Sequence, residues 1–301
     1  MKALMSDCVL CPRNCHADRS AGEMGFCRSG GRIRGARAAL HYWEEPCICG
    51  EEGSGTVFFS GCSLGCVYCQ NRPIADGTVG KEITVGRLAE IFLELQEQNA
   101  RNINLVTAAH FVPQTVEALK LAKKNGLRIP VVYNTGGYEK TETLRMLEGL
   151  VDIYLPDFKY LDPELAERYS SAPDYPEIAK AALAEMVRQV GEPVFQDGEE
   201  ERMIRGVIVR HLVLPGRTEE SKKVIRWLHE TYGDRIYISI LNQYTPMPGL
   251  ERYPELGRKV TEEEYDAVVE DAIAAGVERG FIQEGDTASE SFIPTFDIRG
   301  I

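Results

Sequence analysis

Between residues 58 and 72 the chain reads FFSGCSLGCVYCQNR, and the chemistry of the sequence concentrates on the three cysteines of that stretch, Cys62, Cys66 and Cys69. They are separated by three residues and then by two, in one short glycine-bearing loop after an apolar run. Iron–sulfur clusters are held by thiolates, and full protein ligation takes four of them. A tight loop offering three leaves one iron of a [4Fe-4S] cubane open to another ligand. Half of a zinc site describes the loop less well, because structural zinc takes four ligands in paired groups. Buried apolar cysteines fit poorly too, since a glycine-rich loop is a bad place to bury three of them.

A second set, Cys8, Cys11, Cys15 and Cys27, lies within residues 1–50 and runs CxxC, then three residues, then eleven. This segment is rich in glycine and has little apolar periodicity, so it needs a staple. Four thiolates around one metal would supply it, and zinc or an auxiliary iron–sulfur cluster both fit the donor set. Through residue 40 there are seven Lys or Arg against three Asp or Glu. The plain account is that these cations offset the negative charge of a tetrathiolate site; the other is a docking surface for an acidic partner. Cys47 and Cys49 form a separate CxC pair, a poor chelate for one ion, and are read as incidental. His16 is read as a solvated loop histidine.

Composition narrows the setting. Nine cysteines in an exported chain would point to disulfides, but the N-terminus has no uninterrupted apolar stretch of the signal-peptide kind. The expectation is therefore a cytoplasmic metalloprotein. No stretch approaches the ~20 apolar residues of a membrane span. The formal charge, 34 − 46 = −12, argues against a nucleic-acid backbone as partner.

The cysteine loop must be held by a scaffold, and the remaining sequence describes one. Short β-branched runs at 56–60, 103–107, 129–134, 151–156, 206–214 and 235–241 alternate with helical patterns at 85–98, 112–125, 141–148, 163–190 and 219–232. Alternation of this kind predicts parallel βαβ units, with strands covered on both faces. Six units predict an α/β fold, a partial (β/α)6 barrel over residues 51–301, preceded by a Cys-rich head over 1–50. A doubly wound sheet would want GxGxxG after its first strand, and that motif is absent. A last helix at 262–275 precedes a tail, FIQEGDTASESFIPTFD, to which the sequence assigns no place.

Ligands of parallel α/β folds bind at the carboxyl ends of strands, where the cysteine loop is expected. The other strand ends are polar: Thr107 to His110, Asn134 and Thr135, Asp157 and Lys159, Arg210 and His211, then Asn242 and Gln243. CxxxCxxC with an aromatic before the last cysteine, here Tyr68, resembles the signature of the radical S-adenosylmethionine (SAM) superfamily. That resemblance implies a [4Fe-4S] cluster whose open iron is chelated by SAM. It also implies reductive cleavage to methionine and a hydrogen-abstracting 5'-deoxyadenosyl radical, with an electron donor such as flavodoxin or ferredoxin.

Over about residues 55–245, FFSGCSLGCVYCQN, YNTGG, DIYLPDFK and VRHLVLPG are similar to the pyruvate formate-lyase activating-enzyme-like group. These are activases of glycyl-radical enzymes. The resemblance implies that Asn134, Thr135 and Asp157 stand where a monovalent cation is held beside the SAM carboxylate. It places Lys159 and Arg210 as SAM-binding cations and Tyr68 near the adenine. Two positions depart from the pattern. Asn134 replaces an acid, and TAAH replaces the Gly-Gly-Glu that binds the SAM amino group, leaving Thr107 or His110 to accept that bond. The substrate is then a glycine of a partner glycyl-radical enzyme, or a small molecule or peptide. A non-catalytic iron–sulfur carrier of electrons or clusters is the alternative of another class.

Overall fold

The computed structural model describes residues 2–196, 201–283 and 294–301. Its strands are β1 (Ile33–His41), β2 (Ser54–Phe59), β3 (Lys81–Ile83), β4 (Ile103–Val106), β5 (Val131–Thr135), β6 (Ile153–Pro156), β7 (Val194–Gln196), β8 (Arg202–Leu212), β9 (Tyr237–Leu241) and β10 (Gly280–Ile282). The first five helices are α1 (Lys2–Ser6), α2 (Pro46–Cys49), α3 (Arg72–Ala75), α4 (Val85–Glu97) and α5 (Val112–Lys124). They are followed by α6 (Thr141–Arg145), α7 (Pro163–Ser170), α8 (Tyr175–Val190), α9 (Thr218–Tyr232) and α10 (Glu262–Ala274).

One sheet carries the fold, in the order β10-β9-β8-β6-β5-β4-β2-β1-β3, with β7 on β8. Neighbours from β2 through β10 are parallel, as the βαβ alternation predicts. The parallel strands are covered on both faces and mostly apolar: β2, β4, β5 and β6 are buried at every position. Among the described residues the two sheet edges, β10 and β3, do not pair, so the barrel is partial.

Three features differ from the sequence reading. Residues 33–41, expected within the loop-rich head, form β1, antiparallel to both β2 and β3. The helix expected at 163–190 breaks into α7 and α8, because Ser171 turns left-handed at φ 47° and Pro173 has no N–H to continue the ladder. A short seventh parallel strand, β10, starts the tail, whose residues 284–293 lie outside the described residues. Beyond them the chain returns to the opposite edge. Ile298 N–H donates to Ala36 O at 3.1 Å, and Arg299 O accepts from Ala38 N–H at 2.8 Å.

The barrel interior decides what the strand ends face. Side chains alternate along a strand, so Asn104 and Val106, Val132 and Asn134, Leu155 and Asp157, and Ile208 and Arg210 share the inward face. Its lower layer is apolar: Val132, Ile153, Leu155 and Ile208 pack on Cys47 and Ile48 of α2. The CxC pair thus serves as buried filling, with α2 plugging the barrel and Asn102 Nδ2 donating to Ile48 O at 2.7 Å. Burial pushes the Cys47 thiol up to about 12. Such a thiol is inert.

Candidate active site

The cysteine loop leaves β2 through Gly61 (φ 95°) and turns again at Gly65 (φ 68°), conformations that glycine adopts at no steric cost. Cys62, Cys66 and Cys69 are half-buried and line one cavity of ≈ 140 Å³ together. Burial and the neighbouring thiols push Cys69 up to about 12. Burial likewise raises Cys66, against the lowering influence of Lys159. Thiolates in so desolvated a place need a metal to hold them. Leu64 N–H donates to Cys62 Sγ at 3.4 Å, and Ser170 Oγ donates to Cys66 Sγ at 3.1 Å. Three thiols on one cavity, two of them already bonded to a donor, have the chemistry of an iron–sulfur ligand set.

Facing them, the inward residues of the upper layer form one charged array. Asp157 accepts from Lys159 Nζ (2.7 Å) and from Arg210 Nε (3.0 Å). Arg210 Nη2 donates to Asn134 Oδ1 at 2.7 Å and Nη1 to Glu44 Oε2 at 3.2 Å. Burial alone would raise the Asp157 carboxyl, but Lys159 and Arg210 outweigh it and hold it below its ordinary value. Burial opposes the Lys159 charge, and Asp157 overrides it, so this ammonium stays protonated. Arg210 uses three of its five N–H groups in these contacts and Lys159 one of three, leaving donors of both to meet a ligand carboxylate.

Glu44 is the member that sequence reasoning missed. It precedes α2, its side chain is buried, and its Oε1 accepts from Asn104 Nδ2 at 2.9 Å and Asn134 Nδ2 at 3.4 Å. Burial raises its carboxyl, against Arg210. The only available signal was an acidic pair next to a proline in an otherwise apolar segment, HYWEEPCIC. With Trp43, His41 and Phe58, Glu44 walls a second cavity of ≈ 200 Å³ that also reaches Cys66, Tyr68 and Cys69.

The other expected residues fall differently. Thr107, left-handed at φ 60°, lines the cysteine-side cavity with Thr135. Such a backbone is costly for a β-branched residue. Tyr68 is buried, and its hydroxyl pairs with Tyr160 at 2.6 Å. His110 is not brought to either cavity. Its Nε2 bonds Ser60 O at 2.9 Å, its ring packs on Phe111, and burial lowers it to about 3. The one-turn 3₁₀ segment Ala109–Phe111 swings it under the cysteine loop, so it does not serve the amino-group role offered to it above.

The oxygens expected around a monovalent cation do not fit one. Asn134 Oδ1 is taken by Arg210, Asp157 by two cations, and the Thr135 hydroxyl donates to Glu139 Oε1 at 2.5 Å. In the head, Cys8, Cys11 and Cys27 are buried and Cys15 is exposed. Among the described residues no three Cys, His or carboxylate groups converge tightly enough for a single metal ion.

A partial barrel with three thiols at the carboxyl end of its first parallel strand defines a class, and the comparisons agree. Residues 56–228 match the radical SAM superfamily, and the chain belongs to that superfamily. An uncharacterized protein of Methanocaldococcus jannaschii is 29% identical over 277 residues, covering 89% of this chain and 75% of its own length. A pyruvate formate-lyase-activating enzyme of Clostridium pasteurianum is 30% identical over 113 residues, 36% of this chain and 46% of the enzyme.

Among solved structures, Streptococcus suis SuiB bound to S-adenosylmethionine matches with TM-score 0.50 and 14% identity, over 74% of this chain and 48% of SuiB. Methylornithine synthase matches with TM-score 0.50 and 13% identity, over 79% of this chain and 75% of the synthase. These two likenesses are of fold. The chain thus matches less than half the length of the activating enzyme and of SuiB. No helix among the described residues is long and apolar enough to cross a membrane.

Proposed function

We propose that the chain is a radical SAM enzyme that abstracts a hydrogen atom from its substrate. The observation that carries this reading is that Cys62, Cys66 and Cys69 open on the same cavity as Asn134, Asp157, Lys159 and Arg210. When bound, a [4Fe-4S] cluster with SAM supplies a 5'-deoxyadenosyl radical and methionine. The chain's own residues do the rest. Cys62, Cys66 and Cys69 hold three irons, and Lys159 and Arg210 receive the SAM carboxylate. Asp157 keeps both cations charged in a desolvated site. With the Gly-Gly-Glu absent and His110 turned away, Thr107 on the cysteine-side cavity and the Glu44 carboxylate on the second cavity are the acceptors for the SAM amino group. Tyr68 walls the adenine side. Anaerobic reconstitution with iron, sulfide, reductant and SAM, followed by chromatography, tests the reading. Methionine and 5'-deoxyadenosine in equal amounts are expected; no cleavage by a fully loaded chain would sink it.

For the substrate, the similarity to the activating enzyme supports a glycine of a partner glycyl-radical enzyme, and the edges β10 and β3, which do not pair with each other among the described residues, are compatible with an open side. A small molecule is supported by α2, which fills the barrel below the site. A persistent glycine-centred signal on a co-expressed partner decides for the former. The electron donor is a low-potential flavodoxin or ferredoxin, and the setting is cytoplasmic. Zinc or a second cluster in the Cys8, Cys11, Cys15 and Cys27 head would require these four thiols to draw together on the metal, which they do not do here. About four irons plus one zinc per chain identifies zinc, and about eight irons a cluster. An electron or cluster carrier would be indifferent to loss of Arg210 or Asp157.

A further inference from the structure

Arg13 stands inside the head motif CPRNC, between Cys11 and Cys15, yet its guanidinium reaches the cysteine loop. Its Nε donates to Ser63 O at 2.9 Å and its Nη2 to Leu64 O at 3.0 Å. Nη2 also donates to Ser170 O at 2.8 Å, and Nη1 donates to Ser171 O. These last carbonyls end α7, where a cation is favoured by the helix dipole. The guanidinium lies 3.9 Å over the Phe26 ring, and Phe26 in turn abuts Gly65.

The peptide unit Ser63–Leu64 explains why this matters. A trans peptide points its C=O and its N–H in opposite directions. Arg13 takes the Ser63 carbonyl on one side, so the Leu64 N–H is aimed at Cys62 Sγ on the other, where the 3.4 Å contact is seen. Ser170, whose carbonyl Arg13 also holds, bonds Cys66 Sγ through its hydroxyl. Two of the three thiols therefore receive hydrogen bonds from residues that Arg13 positions. The head is fitted to this loop elsewhere as well: a Cβ on Gly61 would meet Cys27 O and Ser29 Oγ, each at 2.4 Å.

We propose that Arg13 is a positioning residue through which the seating of the Cys-rich head sets the hydrogen bonds on Cys62 and Cys66, and with them the reduction potential of a cluster held there. The inference rests on the reading that the Cys62, Cys66 and Cys69 loop holds a [4Fe-4S] cluster. Hydrogen bonds to ligating sulfur and nearby positive charge both stabilise the reduced, more negative cluster. Removing Arg13 takes away the charge and frees the Ser63–Leu64 peptide to turn. The potential should fall.

The test uses the full chain, reconstituted anaerobically with iron and sulfide and titrated without SAM, the reduced cluster being followed by paramagnetic resonance. Arg13→Met is expected to lower the midpoint potential with the iron content unchanged. Arg13→Lys, which keeps the charge but cannot fork across both pairs of carbonyls, should fall between. An unchanged potential in Arg13→Met, or in Arg13→Lys should the methionine variant not fold, overturns the proposal alone. A wild-type chain that takes up no iron overturns both the reading of the loop and this proposal.

Discussion

Replacing Arg210 with methionine isolates the electrostatics of the site. The guanidinium is the cation that Glu44 touches, and one of two that touch Asp157. The Glu44 and Arg210 side chains are 6% and 15% exposed, so solvent screens them little. Removing one partner of a buried charge pair costs about 3–5 kcal/mol. The low end applies, because Asp157 keeps Lys159 and Glu44 keeps Asn104 and Asn134. For 301 residues the unfolding entropy is about 0.6 kcal/mol/K, so about 3 kcal/mol is a loss of roughly 5 °C in Tm. The pH dependence has a definite sign. Burial raises the Glu44 carboxyl and Arg210 opposes it, so without Arg210 the folded-state value climbs further. An acid whose folded value lies above its unfolded one costs stability as pH rises through that window. The deficit of Arg210→Met should thus be smallest near pH 5 and largest near pH 8. Adding Glu44→Gln removes the unpaired charge and should return about 1–2 kcal/mol at pH 8. Urea unfolding of the wild type and the two variants at both pH values measures this. A double variant no more stable than Arg210→Met, or a deficit independent of pH, would refute the charge array as the reason Arg210 is there.

Lys159→Met removes a charge-assisted bond worth about 1.5–3 kcal/mol; SAM affinity, read by equilibrium dialysis of the loaded chain, should fall roughly 10- to 100-fold. Serine at Cys62, Cys66 or Cys69 should remove about four irons per chain and all SAM cleavage, while metal bound by the head, measured by elemental analysis, is retained. Glu139, buried with Oε2 lacking a partner among the described residues, is pushed by burial up to about 7 from 4.5. The folded chain therefore binds more protons than the unfolded one between about pH 4.5 and 7, and roughly 3 kcal/mol of stability should be lost across that window. Glu139→Gln keeps an acceptor for Thr135 and should flatten this part of the pH profile in urea unfolding.

The sequence by itself determined whatever depends on neighbours along the chain. Cys62, Cys66 and Cys69 share one cavity because they lie within one loop, where spacing alone keeps them together. Asn134, Asp157 and Arg210 were legible because parallel strands end on one rim and period-two alternation faces these residues inward. Tertiary structure decided what arrives from elsewhere. Glu44 completes the array only because the segment from Glu44 to Cys49 enters the barrel, and an apolar segment with an acidic pair does not announce which cavity it fills. His110 leaves the site because a single 3₁₀ turn, Ala109–Phe111, redirects it. The tail meets β1 through the Arg37–Asp297 ion pair at 2.7 Å, across a sequence separation that no local pattern encodes. The head and the cysteine loop read as two separate motifs in the sequence. Arg13 joins them, because four carbonyls turned toward one guanidinium are a property of the folded chain and leave no mark on residue spacing.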